Sequence, residues 1–326
     1  MNQAELAQAR HRTYALLSRL FLQGLTAELA EVVAQLPVLS DTLPKPLAPA
    51  QLEALQASHY TLFSLNLLPY ETLFLTDERE LGHETTQSVA RLYLETGYRG
   101  DWGGSADHVG HELAFVAFLC GAEADAWQDG QLGIAEQVRQ KLADFLQAHL
   151  LRWVVPLALA IHQQGDAFFT AVSTFLLDFL ADHTAVLPLD PSSPLPLPTP
   201  PDLLADPQTR LKDIARYMLV PAYTGMVLTK ESLHRFGRAL DLPRGFGTRR
   251  QMLVTLLEGA GQYDQWLALM ALLAQESARW GVQYEDWHGR VPTLAPYIAP
   301  WQNRRDQHQT FLAHLQAHAQ AVTPAD

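Results

Sequence analysis

The stretch "SADHVGHELAFVAFL" (105–119) places two histidines and a glutamate within five positions at the head of an apolar run. Small and acidic residues followed by apolar ones from Leu113 onward mark a helix start. Ser105 or Asp107 would be the N-cap, with an acidic side chain beside the positive end of the helix dipole. Capping accounts for Asp107 and leaves His108 unexplained. A helix also sets residues three and four apart on one face, so His108 could share a ligand set with His111 or Glu112. The residue order argues against zinc. Zincin helices read H-E-x-x-H or, inverted, H-x-x-E-H, whereas this chain reads H-x-x-H-E with no third ligand nearby in sequence.

Working outward, apolar residues recur at helical spacing on both sides. In 3–22, Leu6, Tyr14, Leu17, Leu20 and Phe21 fall three and four apart, and the pattern continues in 50–67, 85–97 and 107–126. Further helices are predicted at 131–148, 150–164 and 166–183, then at 208–219, 229–240, 247–259, 262–280 and 304–320. Alternating strand patterns are scarce, so the expected fold class is all-α. The stretch "LPLDPSSPLPLPTPPD" (187–202) interrupts the series, because its prolines lack backbone donors and favour extended geometry. It reads as a linker or strap. The expected organisation is a helical bundle at 1–186, a proline-rich linker at 187–202 and a smaller helical domain at 203–326.

Composition bounds the function. The chain has 326 residues, 48% hydrophobic and 18% charged, with a formal net charge of −12, which suits a globular protein and disfavours a general nucleic-acid binder. The one cysteine, Cys120, excludes an internal disulfide and CxxC metal sites and points to a reducing compartment. Arg10, Arg12 and Arg19 break up the apolar residues of the N-terminus, and no apolar run reaches membrane-span length. A cytoplasmic protein without membrane insertion is expected.

Three other stretches could carry chemistry. In "LPYETLF" (68–74), Pro69 breaks the preceding helix and sets Glu71 close to large apolar residues. Glu80–His83 and Glu231–His234 are E-x-x-H units of the type found in di-iron bundles, but they fall on opposite sides of the proline-rich stretch. "LPRGFGTRR" (242–250) could bind a phosphate at a helix N-terminus, giving a GTP-regulated binding module. It lacks a P-loop pattern, and a loop capped by Thr248 is the better reading.

Taken together, "YTLFSLNLLPYETLF" (60–74), "SADHVGHELAFVAFL" (105–119) and "FLQAHLLRWVVPLALAI" (145–161) occur in that order with helices between them. This resembles the TorD/DmsD/NarJ superfamily of cytosolic redox-enzyme maturation chaperones, whose members carry a P-x-E-S type turn, a D-H-x-x-x-E-L helix start and an H-L-x-x-W stretch. The resemblance covers about 50–183. It implies an all-helical, non-enzymatic chaperone that binds the twin-arginine leader, or another part, of an apo molybdoenzyme catalytic subunit. Such a chaperone holds its client until the molybdenum cofactor is inserted and blocks premature export. The cofactor belongs to the client, and none is expected on this chain.

By motif position the resemblance assigns client binding to Tyr60, Phe63, Pro69, Tyr70, Glu71 and Thr72, to Asp107, His108 and Glu112, and to His149, Leu150 and Trp153. Thr72 stands where the family pattern has serine. Residues 203–326 extend beyond the short members, leaving open contact with the client body, cover of the leader groove, or a homodimer. A leader offers positive charge followed by an apolar segment, so its receptor needs carboxylates beside an apolar groove. Glu71, Asp107 and Glu112 are expected to supply the first, and Tyr60, Tyr70, Leu150 and Trp153 the second. Asp107 and His108 are expected to be replaceable without unfolding, and protonation of His108 to compete with the leader's arginines. The competing reading is a metal-dependent enzyme using His108 and Glu112.

Overall fold

The computed structural model describes residues 2–77, 84–103, 105–190, 196–243 and 245–322. The chain is 73% helical, and among the described residues there is no strand, as expected for an all-α protein. Two compact units share the chain: Met1–Leu73 with Glu78–Leu195 and Val291–Tyr297, and Phe74–Asp77 with Pro196–Arg290 and Ile298–Asp326.

In the first unit, α1 (Gln3–Gln23) starts at Asn2, whose side chain accepts from the Glu5 N–H while Glu5 accepts from the Asn2 N–H, both at 2.8 Å. Its buried face is Ala7, Tyr14, Leu17, Leu20 and Phe21, the helical stripe legible in sequence. The predicted helix 50–67 divides into α2 (Pro49–Tyr60) and a π-helical turn, Thr61–Asn66. After α3 (Glu71–Leu75) and α4 (Glu84–Glu95) comes α5 (Val109–Gln128), buried on nearly every side from Val109 to Ala126, the pattern of a central helix. Gly110 lets α1 lie close: a Cβ there would sit 2.5 Å from Leu22 Cγ and 3.1 Å from the Ser18 carbonyl. His11 Nδ1 reaches the Ala117 carbonyl at 2.8 Å along the same seam. The helices α6 (Leu132–Ala148), α7 (Val154–His162) and α8 (Ala167–Thr184) complete the bundle, with Val154–Ile161 buried throughout.

The second unit holds α9 (Leu211–Met218), α10 (Lys230–Ala239), α11 (Arg249–Gln262), α12 (Trp266–Arg290) and most of α13 (Ala295–Val322). The last helix begins earlier than the predicted 304, because Pro296 lies in the first turn, where no amide donor is needed, and Pro300 forfeits one bond only. Buried Glu276 is met by Arg235 at 2.7 Å and Arg279 at 3.0 Å. The expected Thr248 cap is present at the head of α11, in a capping box with Gln251.

The proline-rich stretch is non-helical where described, and each unit holds its own part. Gln147 brackets the backbone of Asp190 with two hydrogen bonds in the first unit. In the second, Arg304 donates to the Pro198 carbonyl at 2.9 Å and Leu197 is buried. Among the described residues no single helix is long and apolar enough to cross a membrane. The bent pair Leu132–Arg152 and Val154–His162 passes that test by length and composition, and its second helix is bundle core.

Gly225 adopts φ +69°, and a Cβ there would meet the Arg305 nitrogen at 2.5 Å and the Trp301 carbonyl at 2.6 Å. Backbone cannot yield as a side chain can. Gly225→Ala is therefore expected to cost about 3 kcal/mol or more; a urea midpoint within error of wild type would contradict this packing.

Candidate functional site

The site is built where two segments distant in sequence run side by side. Pro69 restricts the residue before it to extended geometry, and Leu67 is extended as well (φ −136°, ψ 91°), so residues 67–70 are available for pairing. Tyr70 and His108 form an isolated antiparallel bridge. The Val109 N–H donates to the Pro69 carbonyl at 3.0 Å, and the Glu71 N–H to the Asp107 carbonyl at 2.9 Å.

Asp107 seals this joint. Its Oδ2 accepts from the Thr72 N–H at 3.1 Å and the Thr72 hydroxyl at 2.6 Å, and its Oδ1 accepts from the Thr86 hydroxyl at 2.8 Å. The carboxylate is fully buried. Asp107 thus caps α3, the helix across the joint, rather than its own, and ties α4 to both. His108 is the N-cap of α5, its Nδ1 accepting from the Gly110 N–H at 3.0 Å. Sequence reasoning placed the cap at Ser105 or Asp107 and left His108 unexplained, since the partner segment that Asp107 caps is invisible to local spacing. The serine-to-threonine change at 72 keeps the hydroxyl that this bond needs.

Beneath the joint lies a buried acid cluster. Glu71 is fully buried, with Oε2 2.8 Å from His149 Nδ1 and Oε1 3.6 Å from an Arg152 guanidinium nitrogen. Glu112, also fully buried, accepts from Trp153 Nε1 at 3.3 Å, and among the described residues its Oε1 has no hydrogen-bond partner. Burial, reinforced by the charges of Glu71 and Asp107, pushes the Glu112 carboxyl well above the usual carboxylate range. His149 ends α6 with non-helical geometry (φ −127°, ψ −91°), and the turn Leu150–Arg152 that follows brings Arg152 and Trp153 to the two glutamates. Arg152 was missed by the motif reading, although its position three after His149 was the available signal.

Burial pushes the His108 imidazole down to about 3, with His111 and His59 adding to the effect. It is neutral at physiological pH and caps a helix, so the expected competition between its protonated form and leader arginines is corrected. The groove role expected of Leu150 and Trp153 is corrected too, because both are wholly inside the core. Glu71, Asp107 and Glu112 are likewise sealed from solvent and engaged with their neighbours, which removes them as direct partners for a leader's arginines.

The other expected site residues separate into core and surface. Phe63 is buried in an aromatic cluster with Phe21 and Phe169, ring centroids 5.5 and 5.1 Å away, and Pro69 is buried. Tyr70 is half-buried, edge-on to the His108 ring at 5.0 Å. Tyr60 is 59% exposed, and the π-helical turn that follows leaves Leu65 at 49% and Leu68 at 40%. The two leucines were not singled out in the sequence, because apolar spacing by itself does not tell a buried leucine from an exposed one.

Among the described residues no group of three His, Cys, Asp or Glu side chains is disposed to hold a metal ion. Glu80 and His83 lie outside the described residues, and Glu231 pairs with Arg238 at 2.7 Å.

The family model described as "Nitrate reductase delta subunit" matches residues 23–158, a span that contains the paired turns, the acid cluster and the exposed Tyr60, Leu65 and Leu68. That span, under half of the chain, is similar to this family of NarJ/TorD-type chaperones, a family that serves molybdoenzyme maturation. Neither the curated proteins nor the solved structures returned a match.

Two measurements check this geometry. Asp107→Ala strips the acceptor from three buried donors, each bond to a charged group being worth about 1.5–3 kcal/mol, so a loss of about 3–5 kcal/mol is expected in urea unfolding. Asp107→Asn should lose clearly less; near-wild-type stability of the alanine variant would return Asp107 to a surface role. His108→Asn replaces the capping Nδ1 with an amide oxygen that can accept from the same N–H, and removes the titrating ring. Because the folded value is depressed, the unfolded chain takes up this proton first, and wild-type stability falls as pH drops from 6.5 toward 3. Relative to His108→Asn the wild type should lose up to about 1.4 kcal/mol per pH unit in that window; parallel profiles would refute the burial.

Proposed function

We propose that this protein binds an apolar leader segment of an apo molybdoenzyme catalytic subunit, holding it until the molybdenum cofactor is inserted and delaying its export from the cytoplasm. The observation that carries this reading is the run of exposed apolar side chains Tyr60, Leu65 and Leu68 directly above the family-signature joint. Three large apolar groups within nine positions, raised by a π-helical turn, leave surface that a monomer gains nothing by showing to water.

The division of labour is physical. The buried joint and acid cluster fix the height and angle of the 60–70 turn, and the turn presents the apolar contact. Attraction for the positive end of a leader comes from the field of a chain with net charge −12, which raises the encounter rate without a dedicated buried carboxylate. In this reading the chain carries out no turnover, and the molybdenum cofactor resides in the client.

The test is calorimetric titration of the purified chain with a twin-arginine leader peptide and with a scrambled peptide of the same composition. Leu65→Ser combined with Leu68→Ser is expected to weaken leader binding at least about tenfold, a loss near 1.4 kcal/mol, while leaving the melting curve close to wild type. Equal affinity for leader and scrambled peptide, or an unchanged affinity in the double variant, would reject this assignment.

A further inference from the structure

In the second unit a cavity of about 410 Å³ opens beside α9, and Asp77, Asp206, Asp213, Arg216, Tyr217 and Tyr223 are among the residues that line it. Its charges are unevenly matched. Arg216 Nε donates to Asp77 Oδ1 at 2.7 Å, and a second guanidinium nitrogen meets the other oxygen of the same carboxylate. Asp206 Oδ1 accepts from the Gln208 N–H at 2.8 Å, and Asp213 Oδ2 from the Arg210 N–H at 3.0 Å. Among the described residues neither Asp206 nor Asp213 has a basic side chain at ion-pair distance, and the second oxygen of each has no protein donor.

Tyr217 is an independent sign of an occupant. Its ring packs against Phe311 at 4.6 Å and His308 at 5.6 Å and stacks with Tyr223 at 6.1 Å, so that the residue is only 4% exposed. It nevertheless lines the cavity, and among the described residues its hydroxyl has no hydrogen-bond partner. A phenol this deep in a fold ordinarily has one. We propose that the cavity binds an organic cation, a guanidinium or alkylammonium group, held by the carboxylates of Asp206 and Asp213 and donating to the Tyr217 hydroxyl oxygen.

Sign, size and geometry select that class. Three carboxylates and one guanidinium line the cavity, and nearby Arg304, which donates to Gln307 and to the Pro198 carbonyl, still leaves the negative charges in excess. An anion is disfavoured there. Among the described residues no three acidic side chains are disposed to share a metal ion, so the cation is one that spreads its charge over several atoms. The volume is toward the small end for ligand sites, about 300–1,000 Å³, and suits such a group with its alkyl stem. Arg216 shows the mode of recognition on the cavity's own wall, a planar guanidinium set against a carboxylate by two contacts. The group can arrive on a peptide's arginine or lysine or as a free amine, and the recognition is the same.

The site belongs to the second unit and is independent of leader binding at residues 60–70. Calorimetric titration of the full chain with a blocked Gly-Arg-Gly tripeptide, with its citrulline counterpart and with agmatine separates the outcomes. Saturable binding of the arginine peptide or of agmatine is expected, with a Kd of about 10 μM to 1 mM, and none of the neutral citrulline peptide. Preference for the peptide assigns a protein side chain as the source, and preference for agmatine a free amine. Asp206→Asn combined with Asp213→Asn should weaken binding at least about tenfold, with melting close to wild type because the amide oxygens keep both backbone contacts. Tyr217→Phe, which removes the hydroxyl alone, should weaken it about threefold or more. Glu258→Gln with Asp264→Asn removes as much charge outside the lining and should change affinity less than about twofold. No saturable binding of either cation, equal binding of the citrulline peptide, or equal weakening by the control pair would each overturn the assignment.

Discussion

Three hydrogen bonds converge on the Asp107 carboxylate, from the Thr72 amide, the Thr72 hydroxyl and the Thr86 hydroxyl, and the first unit is organised around them. They join the turn after Pro69, the start of α4 and the head of α5, segments separated by up to 35 residues. A buried carboxylate is costly unless its lone pairs are occupied, and here neighbouring donors occupy both oxygens. Because the cost of losing any donor is high, the joint holds one register and with it the position of the 60–70 turn.

The acid cluster below extends that logic. Glu71 meets His149 and approaches Arg152, whereas the Glu112 carboxyl is raised by burial and by the charges of Glu71 and Asp107 and accepts from Trp153. The family signature therefore describes an interior. Its letters fix a scaffold, and the apolar side chains left at the surface are less distinctive residues such as Leu65 and Leu68.

Much of the fold was legible in the chain. The stripe of Tyr14, Leu17, Leu20 and Phe21, the all-round apolar run after Glu112 and the prolines at 187–202 each state a local preference, and local preference is what spacing encodes. The helix predicted for 50–67 ended instead in a π-helical turn at Thr61, because packing of Phe63 against Phe21 and Phe169 competes with continued α-helical spacing. That turn is what sets Leu65 and Leu68 toward water.

The sequence by itself determined the helical class, the proline interruption and, through three ordered motifs, which residues matter. What those residues do was decided by tertiary structure. At 105–119 the local reading made Asp107 the cap and left His108 over; folding gave His108 the cap and sent the aspartate across to Thr72 and Thr86. The reason is distance along the chain: a helix start shows in four residues, but a hydrogen bond spanning 35 exists only once the bundle has closed.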